Sequence, residues 1–417
     1  MAARELAWAG KTVRVFEAKD RLGGRAWASH LGDTPIERGG GYVHWSQPHI
    51  WAEITRYGLT LKERPYYTTT NAMRKTRFLV DGELHAAFTP EETADIGAAF
   101  AAYLAPAREV FPTPYDPFAT DAWRAYDGLS AADRIAQMDL SDLVRATLLR
   151  TSAMQCNNDP HQGAYLEALR WYALAQCHDE TYAASVSRFT LAEGSGALLA
   201  AIARDAGDPV TLSGPVTRIG RDGVHVVAET PAGPVAARRC IVATGVNVWK
   251  NIHFEPALSE PKLKLSQEEL SGKGGKIYVE LEGSFEDSRW GAVGGKILSV
   301  LPHRVAPDRS VVVAFTNPEY PFETLDNATL GAEMARFDPA CRVRDFSYHD
   351  WVADPHVGGT WGNLRPGQFG AYLRGARAPE GPVHFAGGDI AVGWRGFFDG
   401  AVESGAATAR AVLAELG

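Results

Sequence analysis

The sequence predicts an α/β protein of two interleaved domains, one built on a parallel sheet and the other on helices with a second sheet. Residues 2–9 favour a helix, Gly10 suits its C-terminal cap, and the run KTVRVFE that follows is strand-like. A second strand, glycine loop and helix close the chain from VHFAG onward. Residues 61–184 are predicted to be mostly helical. Similar α/β units at the two ends, separated by other structure, indicate domains made of alternating segments.

The composition indicates a folded protein that does not bind nucleic acid or a membrane. The chain has 417 residues, 45% of them hydrophobic, and its formal net charge of −8 includes no run of like charge. No stretch reaches the roughly 20 apolar residues of a membrane span, and N-terminal charges leave no apolar signal core. The four cysteines have neither metal-site spacing nor the density of a disulfide scaffold. We therefore expect a reduced, cytoplasmic setting and no metal site.

Local patterns define the elements between the two ends. Thr89 and, more weakly, Ser130 start capping boxes in the helical block. Short strands are predicted from Val216 to RRCIVATG, and further strands at KIYVELEG, KILSVLPHR and RSVVVAFT. The first domain is assigned residues 1–60, 185–250 and 375–417, and the second residues 61–184 and 251–374.

An acid at the end of the first strand marks a candidate nucleotide site. Glu17 ends VRVFE, and in a Rossmann-type dinucleotide fold an acid there, about 20 residues past the phosphate loop, binds ribose hydroxyls. The alternative is an acid that starts a surface turn. In the RLGGR that follows, Gly23 and Gly24 let backbone approach a bulky anion, and Arg21 and Arg25 supply matching charge.

Two further segments have the same glycine-rich character. Gly39, Gly40 and Gly41 precede YVH, where backbone is expected to approach a flat ligand. Near the C-terminus, AGGD at residues 386–389 is followed by DGAVESG at residues 399–405, which opens a helix. A helix N-terminus carries partial positive charge and free N–H groups, although ordinary capping is the alternative.

These motifs resemble the flavin monoamine oxidase family over essentially the whole chain. The family's acid, RxGGR and GG-aromatic pattern stands here as Glu17, residues 21–25 and residues 39–42. GGGYVHWSQPHIWAEITRYGL, NIHFEPALS and DGAVESG look especially like bacterial nicotine oxidoreductase-like enzymes. The resemblance implies a Rossmann-type FAD-binding domain interleaved with a substrate-binding domain of helices over a sheet.

The resemblance also implies an FAD site built from residues distant in sequence. Glu17 would bind the adenosine ribose, Arg25 the pyrophosphate and Asp389 the ribityl chain, while Val216 would approach the adenine. The helix that starts near Asp399 would stabilise negative charge at the flavin N1/O2 edge. The other expected cofactor contacts are Gly23, Gly24, Gly40, Gly41, Gly388, Ala401 and Val402.

Three residues are expected to surround the reacting amine. Lys276 takes the place of the family lysine that holds a water beside flavin N5, with an ordinary strand lysine as the alternative. Trp361 and Phe397 take the places of the two cage rings, with packing in a core as the alternative. Phenylalanine instead of tyrosine leaves an apolar wall that suits an uncharged amine with an aryl or alkyl body. The residues expected along the access path are His44, Trp45, Trp171 and Tyr172.

The implied reaction is oxidation of a primary or secondary amine to an imine by hydride transfer to flavin N5. Oxygen or an electron-transfer partner would reoxidise the flavin. Thr360 stands where animal relatives carry the cysteine that binds flavin covalently, so FAD is expected to be non-covalent. Two alternatives stay open, a flavin desaturase or dehydrogenase of the same superfamily and a non-catalytic relic that does not retain FAD. Whether the protein is a homodimer also stays open.

The chain begins inside the expected first βαβ unit. Residues 2–9 look like the helix that follows a G-x-G-x-x-G loop, and counting back about 20 residues from Glu17 places that loop upstream of Met1. The glycines of residues 39–41 and 272–275 lack the strand–loop–helix context of a substitute. We therefore expect a truncated chain whose natural upstream residues would restore tight FAD binding.

Overall fold

The computed structural model describes residues 1–65, 77–80, 82–85, 88–286, 288–293 and 295–417. Its α-helices are, in chain order, α1 (Ala2–Trp8), α2 (Pro48–Arg56), α3 (Pro90–Leu104), α4 (Ala107–Val110), α5 (Ala131–Ala136), α6 (Asp142–Cys156), α7 (Tyr165–Leu174), α8 (Asp179–Ser187), α9 (Ser195–Asp205), α10 (Glu260–Glu268), α11 (Asn327–Ala335), α12 (Gln368–Arg377) and α13 (Phe398–Leu416). Short 3₁₀ helices cover Ala122–Ala125, Val246–Asn251, Phe322–Thr324 and Gly388–Ile390.

The strands form one large sheet and several small ones. They are β1 (Val15–Phe16), β2 (Ala28–Leu31), β3 (Thr34–Glu37), β4 (Leu61–Glu63), β5 (Arg77–Val80), β6 (Glu83–His85), β7 (Phe189–Leu191), β8 (Val210–Thr211), β9 (Arg218–Arg221), β10 (Val226–Thr230), β11 (Gly233–Ala237), β12 (Cys240–Val242), β13 (His253–Glu255), β14 (Lys276–Glu282), β15 (Trp290–Ala292), β16 (Ile297–Val305), β17 (Arg309–Thr316), β18 (Val343–Tyr348) and β19 (Val383–Phe385).

The large sheet has the order β18-β14-β17-β16-β15-β5-β6 and is antiparallel except where β15 meets β5. Side chains alternate between its two faces along β14. Ile277, Val279 and Leu281 enter a core that also contains residues of α11, whereas Tyr278 packs on the other side with residues of the β2–β3 hairpin. Lys276 precedes Tyr278 by two positions and therefore shares its face.

The second half of the predicted helical block is confirmed, and its start is wrong. Helices α3 to α8 fill most of residues 90–187, and both Thr89 and Ser130 form capping boxes. Residues 61–63, 77–80 and 83–85 are strands instead of helix, and residues 66–76 lie outside the described residues. β4 pairs with β7 and β5 with β15, both far along the chain, so local pattern carried no sign of them.

The two terminal segments of the chain and residues 210–255 together build the α/β part of the fold. Two parallel pairs, β1–β8 and β12–β19, lie beside an antiparallel β9–β10–β11 unit that β13 joins in parallel. Within the described ranges no strand ladder connects the two parallel pairs. The strand predicted over KTVRVFE is limited to Val15–Phe16, and Val216 precedes β9 instead of lying in a strand. Helix α13 packs against α1 and α2.

Two further properties bear on the cellular setting. All four cysteines, Cys156, Cys177, Cys240 and Cys341, are free. Among the helices of the described residues, none combines the length and apolar character needed to traverse a lipid bilayer.

Candidate active site

Arg25 and Asp389 join three distant parts of the chain. Nη2 of Arg25 lies 2.6 Å from Oδ1 of Asp389, and its Nη1 donates to the Thr360 carbonyl oxygen at 2.6 Å. Oδ2 of Asp389 accepts the Val246 N–H at 3.0 Å. The Asp389 side chain is 4% exposed and that of Arg25 is 30% exposed. The pair is therefore anchored on a buried acid and remains open to solvent on the arginine side.

Close backbone contacts bring the two predicted cage rings to this pair. A Cβ on Gly362 would lie 2.4 Å from Oδ1 of Asp389, which is too short for any other residue. A Cβ on Gly396, whose φ is +84°, would lie 3.0 Å from the Gly362 carbonyl oxygen. Because Trp361 precedes Gly362 and Phe397 follows Gly396, the segments that carry both rings lie side by side.

Lys276 reaches the same cluster from the large sheet. Its Nζ donates a hydrogen bond to the Gly39 carbonyl oxygen, and a Cβ on Gly39 would lie 1.8 Å from the Arg25 carbonyl oxygen. Removal from water lowers the pKa of Lys276 to about 7, while the charge of Glu37 raises this pKa and that of Arg64 lowers it. A substantial fraction of Lys276 is therefore uncharged near neutral pH.

The two aromatic rings are held differently but both keep some exposure. Trp361 donates its Nε1–H to the Gln155 carbonyl oxygen at 2.8 Å. Phe397 meets Trp171 edge to face with ring centroids 4.9 Å apart, and Trp394 in the same way at 5.3 Å. Both rings are partly buried, so neither is enclosed on all sides as a core ring would be.

The N-terminus of α13 lies at the edge of this cluster. The helix begins at Phe398 and no side chain caps it. The Gly388 carbonyl oxygen accepts the Gly396 N–H at 2.9 Å, and a Cβ on Gly388 would lie 3.9 Å from that of Ala401. Ala401 is exposed, whereas the Val402 side chain is buried in an apolar cluster. Of these predicted cofactor contacts, Val402 thus offers its backbone and not its side chain.

The glycines before Arg25 and after Glu37 differ in the room around them. A Cβ on Gly23 would lie 2.4 Å from Leu199, so that position is filled by protein. Gly24 has a φ of +54° and open space on its Cβ side. A Cβ on Gly40 would lie 3.4 Å from the Phe398 ring, and one on Gly41 would lie 2.8 Å from Glu37. Gly24 therefore provides the open approach that a ligand needs.

Glu17 and Val216 make their contacts apart from the Arg25–Asp389 pair. Glu17 Oε1 accepts the Lys19 N–H at 2.9 Å, in the manner of an acid that opens a turn. The Gly214 N–H donates to the Glu17 carbonyl oxygen at 2.8 Å, which brings the segment before Val216 alongside. Val216 itself packs against the helical core.

The residues predicted for an access path divide into two groups. The His44 and Trp45 rings lie 4.1 Å apart, and Trp171 contacts Phe397. Tyr172 donates instead to Asp179 at 2.8 Å. Trp171 therefore lies at the cage, the His44 and Trp45 rings pack on Phe189, and Tyr172 points its hydroxyl to the start of α8.

A surface cavity of about 490 Å³ lies beyond the cage. Trp45, Tyr115 and Leu174 are among its lining residues, and Leu174 also packs in the small cluster that includes Phe397. Lys276, Asp389 and Trp361 do not line it. The residues predicted to surround the reacting amine therefore do not line this cavity, and Leu174 connects its wall to the cluster that contains Phe397.

Asp399 is a buried acid that sequence reasoning did not single out as such. Its Oδ1 accepts the backbone N–H of His49 at 2.6 Å and of Ile50 at 2.8 Å, which caps α2. Burial raises the pKa of Asp399 to about 6, with nearby Glu403 adding to the effect. Donor atoms of His49, Asp399 and Glu403 lie within 4.8 Å of one another, yet both Glu403 oxygens already accept N–H groups of residues 392–393. Oδ2 of Asp399 is buried without a hydrogen-bond partner among the described residues, and the i, i+4 spacing of Asp399 and Glu403 was the signal of this cluster in the sequence.

Glu37 is the second residue that the pattern did not mark. It stands two residues before the glycine run, with Arg38 between, and its carboxylate accepts both the N–H and the hydroxyl of Ser195 at 2.6 Å. An acid close to GGG was the available signal in the sequence. The charge of Glu37 raises the pKa of Lys276, so Glu37 belongs to the surroundings of the site.

The residues of the cluster fit the flavin end of FAD. Asp389 presents carboxylate acceptors for hydroxyl groups, and Arg25 presents a partly exposed guanidinium for phosphate. The uncapped N-terminus of α13 supplies free N–H groups and partial positive charge, and Gly24 leaves open space. This donor set matches a ligand with a polyol, phosphates and an electron-rich ring edge.

Comparison with known proteins agrees with this chemistry. A family model described as flavin containing amine oxidoreductase matches residues 1–413. Pseudooxynicotine dehydrogenase from a Pseudomonas species is 32% identical over 410 residues, which cover 97% of this chain and 82% of that protein. Nicotine dehydrogenase from Pseudomonas putida is 30% identical over 414 residues, covering 99% and 85%. (S)-6-hydroxynicotine oxidase from Paenarthrobacter nicotinovorans is 28% identical over 444 residues, covering 99% and 96%.

Solved structures share the fold. Putrescine oxidase bound to putrescine superposes with a TM-score of 0.84 at 22% identity, covering 99% of this chain and 96% of that one. Cyclohexylamine oxidase from Brevibacterium oxydans gives a TM-score of 0.80 at 20% identity, covering 100% and 96%. The predicted α/β fold is confirmed, as is FAD as the cofactor. The chain belongs to the family of flavin-containing amine oxidoreductases.

Proposed function

We propose that this enzyme uses non-covalent FAD to oxidise a primary or secondary amine that carries an aryl or alkyl body. The convergence of Arg25, Asp389, Lys276 and the Trp361 and Phe397 segments on one place is the observation that carries the proposal. These residues come from four parts of the sequence, around residues 25, 276, 361 and 389–397. Thr360, whose carbonyl accepts from Arg25, offers no thiol for a covalent link.

On the cofactor side, residues of the chain would bind and orient FAD. Asp389 would accept hydroxyl hydrogens of the ribityl chain and Arg25 would neutralise phosphate charge. Glu17 would accept from the ribose of the adenosine, with Val216 near the adenine. The α13 N-terminus would stabilise negative charge on the ring edge that faces it. When bound, FAD supplies at N5 the two-electron acceptor for the hydride that leaves the carbon beside the amine nitrogen.

On the amine side, the chain favours the uncharged substrate. Trp361 and Phe397 provide two ring faces and no carboxylate, so a neutral amine with an apolar body is better accommodated than a solvated ammonium ion. Lys276, part of it uncharged near pH 7, would hold a water and exchange a proton with it at Nζ. The imine would then hydrolyse to a carbonyl compound and an amine.

Several finer features belong to the same proposal. Four free cysteines favour a reduced, cytoplasmic setting. Residues 1–60, 185–250 and 375–417 would form the FAD-binding domain, and residues 61–184 and 251–374 the substrate-binding domain. The acceptor would be oxygen or an electron-transfer protein, and the protein would form a homodimer.

The test begins with amines related to those named for its relatives. Purified chain is loaded with FAD, freed of excess cofactor and exposed anaerobically to pseudooxynicotine, putrescine and cyclohexylamine, which are primary or secondary amines. Nicotine and 6-hydroxynicotine are included as tertiary amines for comparison. We expect at least one aryl-bearing amine to bleach the visible flavin absorbance, and the oxidised product to appear in equal amount. Admission of air should restore the absorbance if oxygen is the acceptor.

Two controls define the outcome. Denaturation should release the flavin into the supernatant, because the link is non-covalent; flavin that precipitates with the protein contradicts this. A panel in which no primary or secondary amine reduces the bound flavin, while a hydrocarbon or alcohol substrate does, would favour a desaturase or dehydrogenase over an amine oxidase.

A further inference from the structure

Glu37 lies where the β2–β3 hairpin meets the active-site cluster. It is the last residue of β3, and two positions later the Gly39 carbonyl oxygen accepts from Lys276. The Glu37 side chain folds over Gly41, since a Cβ there would lie 2.8 Å from Cγ of Glu37. Glycine at position 41 therefore leaves room for the Glu37 side chain, and the Glu37 N–H donates to the Tyr278 hydroxyl at 3.4 Å, on the face of the sheet that carries Lys276.

Ser195 fixes the orientation of this carboxylate. Its backbone N–H lies 2.6 Å from Oε1 of Glu37 and its hydroxyl lies 2.6 Å from Oε2. Ser195 is the first residue of the 11-residue helix α9, so the carboxylate also faces the positive end of that helix. Burial raises the pKa of Glu37, whereas Ser195 and the charge of Lys276 lower it. Burial therefore disfavours the charged carboxylate, and the contacts with Ser195 and the charge of Lys276 partly offset this effect.

Charged groups of both signs surround Lys276. The titratable groups that surround it are Glu37 of β3, Tyr42 of the following loop, Arg64 after β4, Tyr278 of β14 and His303 of β16. Arg64 opposes a charge on Lys276, and the pKa of His303 is lowered to about 4, so this histidine is neutral at physiological pH. The Tyr278 ring lies 5.4 Å from Lys276 Nζ. Glu37 is the acidic group that favours the protonated lysine.

We propose that Glu37 is a positioning residue whose carboxylate, held by Ser195, is the counter-charge of Lys276 and sets the fraction of Lys276 that is protonated. Removal of that negative charge would leave Lys276 facing Arg64 without compensation, so the lysine would lose its proton at lower pH. The proposal stands on two contacts: Lys276 donates to the Gly39 carbonyl oxygen, two positions past Glu37, and Ser195 fixes the Glu37 carboxylate. The effect of this counter-charge on turnover rests on the proposed function, in which Lys276 exchanges a proton beside the reacting amine.

The first arm of the test measures coupling without using activity. Because the pKa of Lys276 is lower in the folded chain than in the unfolded chain, the unfolded state binds more protons between about pH 7 and 10.5. Stability contributed by this residue therefore rises with pH across that window. The free energy of unfolding of FAD-loaded wild type and of Lys276→Met is measured with denaturant over this pH range. The difference between the two curves is the contribution of Lys276. The free energies of unfolding of Glu37→Gln and of the double variant Glu37→Gln/Lys276→Met are subtracted in the same way. This difference is the contribution of Lys276 when residue 37 carries no charge.

We expect the onset of the Lys276-dependent rise to move down by about one pH unit when Glu37 is glutamine. Asp33→Asn removes an exposed acid from the turn of the same hairpin and should leave the onset in place. Glu37→Asp keeps the charge and should restore most of the wild-type curve. An unchanged onset in Glu37→Gln overturns the proposal.

The second arm follows the rate of flavin reduction by amine against pH. The part of the pH–rate profile that depends on Lys276 is the part that is lost in Lys276→Met. In Glu37→Gln this part should move to lower pH by about one unit, and KM should change little. The pH at which the Lys276-dependent stability begins to rise could move while the pH–rate profile shows no part that depends on Lys276. In that case Glu37 is the counter-charge of Lys276, and the role given to Lys276 under the proposed function is wrong. The two failures are therefore distinguishable.

A third variant covers the case in which Glu37→Gln does not fold. Ser195→Ala removes the hydroxyl that donates to Oε2 and leaves both charges in place. A less well-held carboxylate is charged less of the time, so the onset should shift in the same direction by a smaller amount. Absence of any shift in a folded Ser195→Ala protein contradicts the orienting role of Ser195 and the proposal with it.

Discussion

The flavin end and the adenosine end of the proposed cofactor site are held together in different ways. At the flavin end, Arg25 forms side-chain hydrogen bonds to Thr360 and Asp389, across 335 and 364 positions of sequence. At the adenosine end, Glu17 caps its own turn through Lys19, two residues away. At the flavin end the side chains themselves join distant segments, whereas the Glu17 side chain bonds locally and only its backbone pairs with distant residues, Thr211 and Gly214.

This difference has an energetic consequence. A buried acid that holds two partners loses both when it is truncated, and its partners are left without compensation. An acid that caps a turn near the surface loses one modest interaction. Variants at the flavin end should therefore damage FAD binding and the fold together, and those at the adenosine end should weaken binding alone.

The largest expected difference is between the FAD affinities of Asp389→Ala and Glu17→Ala. Asp389→Ala removes the acceptor of both Arg25 and the Val246 N–H, and we expect FAD affinity to fall about 100-fold or more. Glu17→Ala should lower it about tenfold, the equivalent of one hydrogen-bonded interaction. Equilibrium dialysis of FAD against each variant gives both dissociation constants.

Asp389→Asn is the matched control for charge. It keeps the size of the side chain and an oxygen for the Val246 N–H but weakens the contact with Arg25. It should fall between wild type and Asp389→Ala. Equal losses in Glu17→Ala and Asp389→Ala would mean that the two ends do not differ as described.

Lys276→Met separates turnover from cofactor binding. Lys276 donates to Gly39 and is not a contact of Arg25 or Asp389, so FAD should remain bound. Flavin reduction or reoxidation should slow at least tenfold, about 1.4 kcal/mol of barrier. Rapid mixing with amine and then with oxygen measures both steps, and unchanged rates for both would refute the assignment.

Trp361→Ala tests whether this ring walls a cavity or fills a core. Trp361 is partly buried with one hydrogen bond, to Gln155, so its loss should lower turnover about tenfold and stability by only about 1 kcal/mol. Trp249→Ala is the matched control because Trp249 is 0% exposed, and its loss should cost about 3 to 5 kcal/mol. Similar losses of stability in both variants, with activity retained in Trp361→Ala, would place Trp361 in the core.

The same contrast explains what could be predicted from the sequence. The Glu17 turn, the RLGGR segment and the capping boxes at Thr89 and Ser130 are local, so spacing revealed them. β4 and β5 pair with strands far along the chain, and local composition in that region pointed to helix. The Ser195 clamp on Glu37 and the Asp399 cap of α2 depend on tertiary contacts between unrelated segments. No motif encodes such contacts.

Asp399→Asn is expected to raise stability instead of lowering it, and it sharpens the comparison at the flavin end. The folded pKa of Asp399 is about 6 against an ordinary 3.8, so the folded state binds the proton more tightly and stability falls as pH rises through that window. Asparagine keeps an oxygen for the His49 and Ile50 N–H groups and carries no charge. We expect it to be more stable than wild type by about 1 to 2 kcal/mol at pH 7 and equal to it at pH 4. Denaturant titrations at both pH values measure this, and a loss of stability at both contradicts it.

The most direct measurement is a crystal structure of the chain with FAD and an amine bound. The account predicts that the flavin ring lies among Lys276, Trp361 and Phe397, that the ribityl hydroxyls meet Asp389, and that the amine stands between the two aromatic rings. It also predicts that Arg25 turns toward phosphate while Asp389 stays where it is. A flavin ring bound elsewhere, or an amine that contacts neither Trp361 nor Phe397, would contradict the assignment of this cluster as the active site.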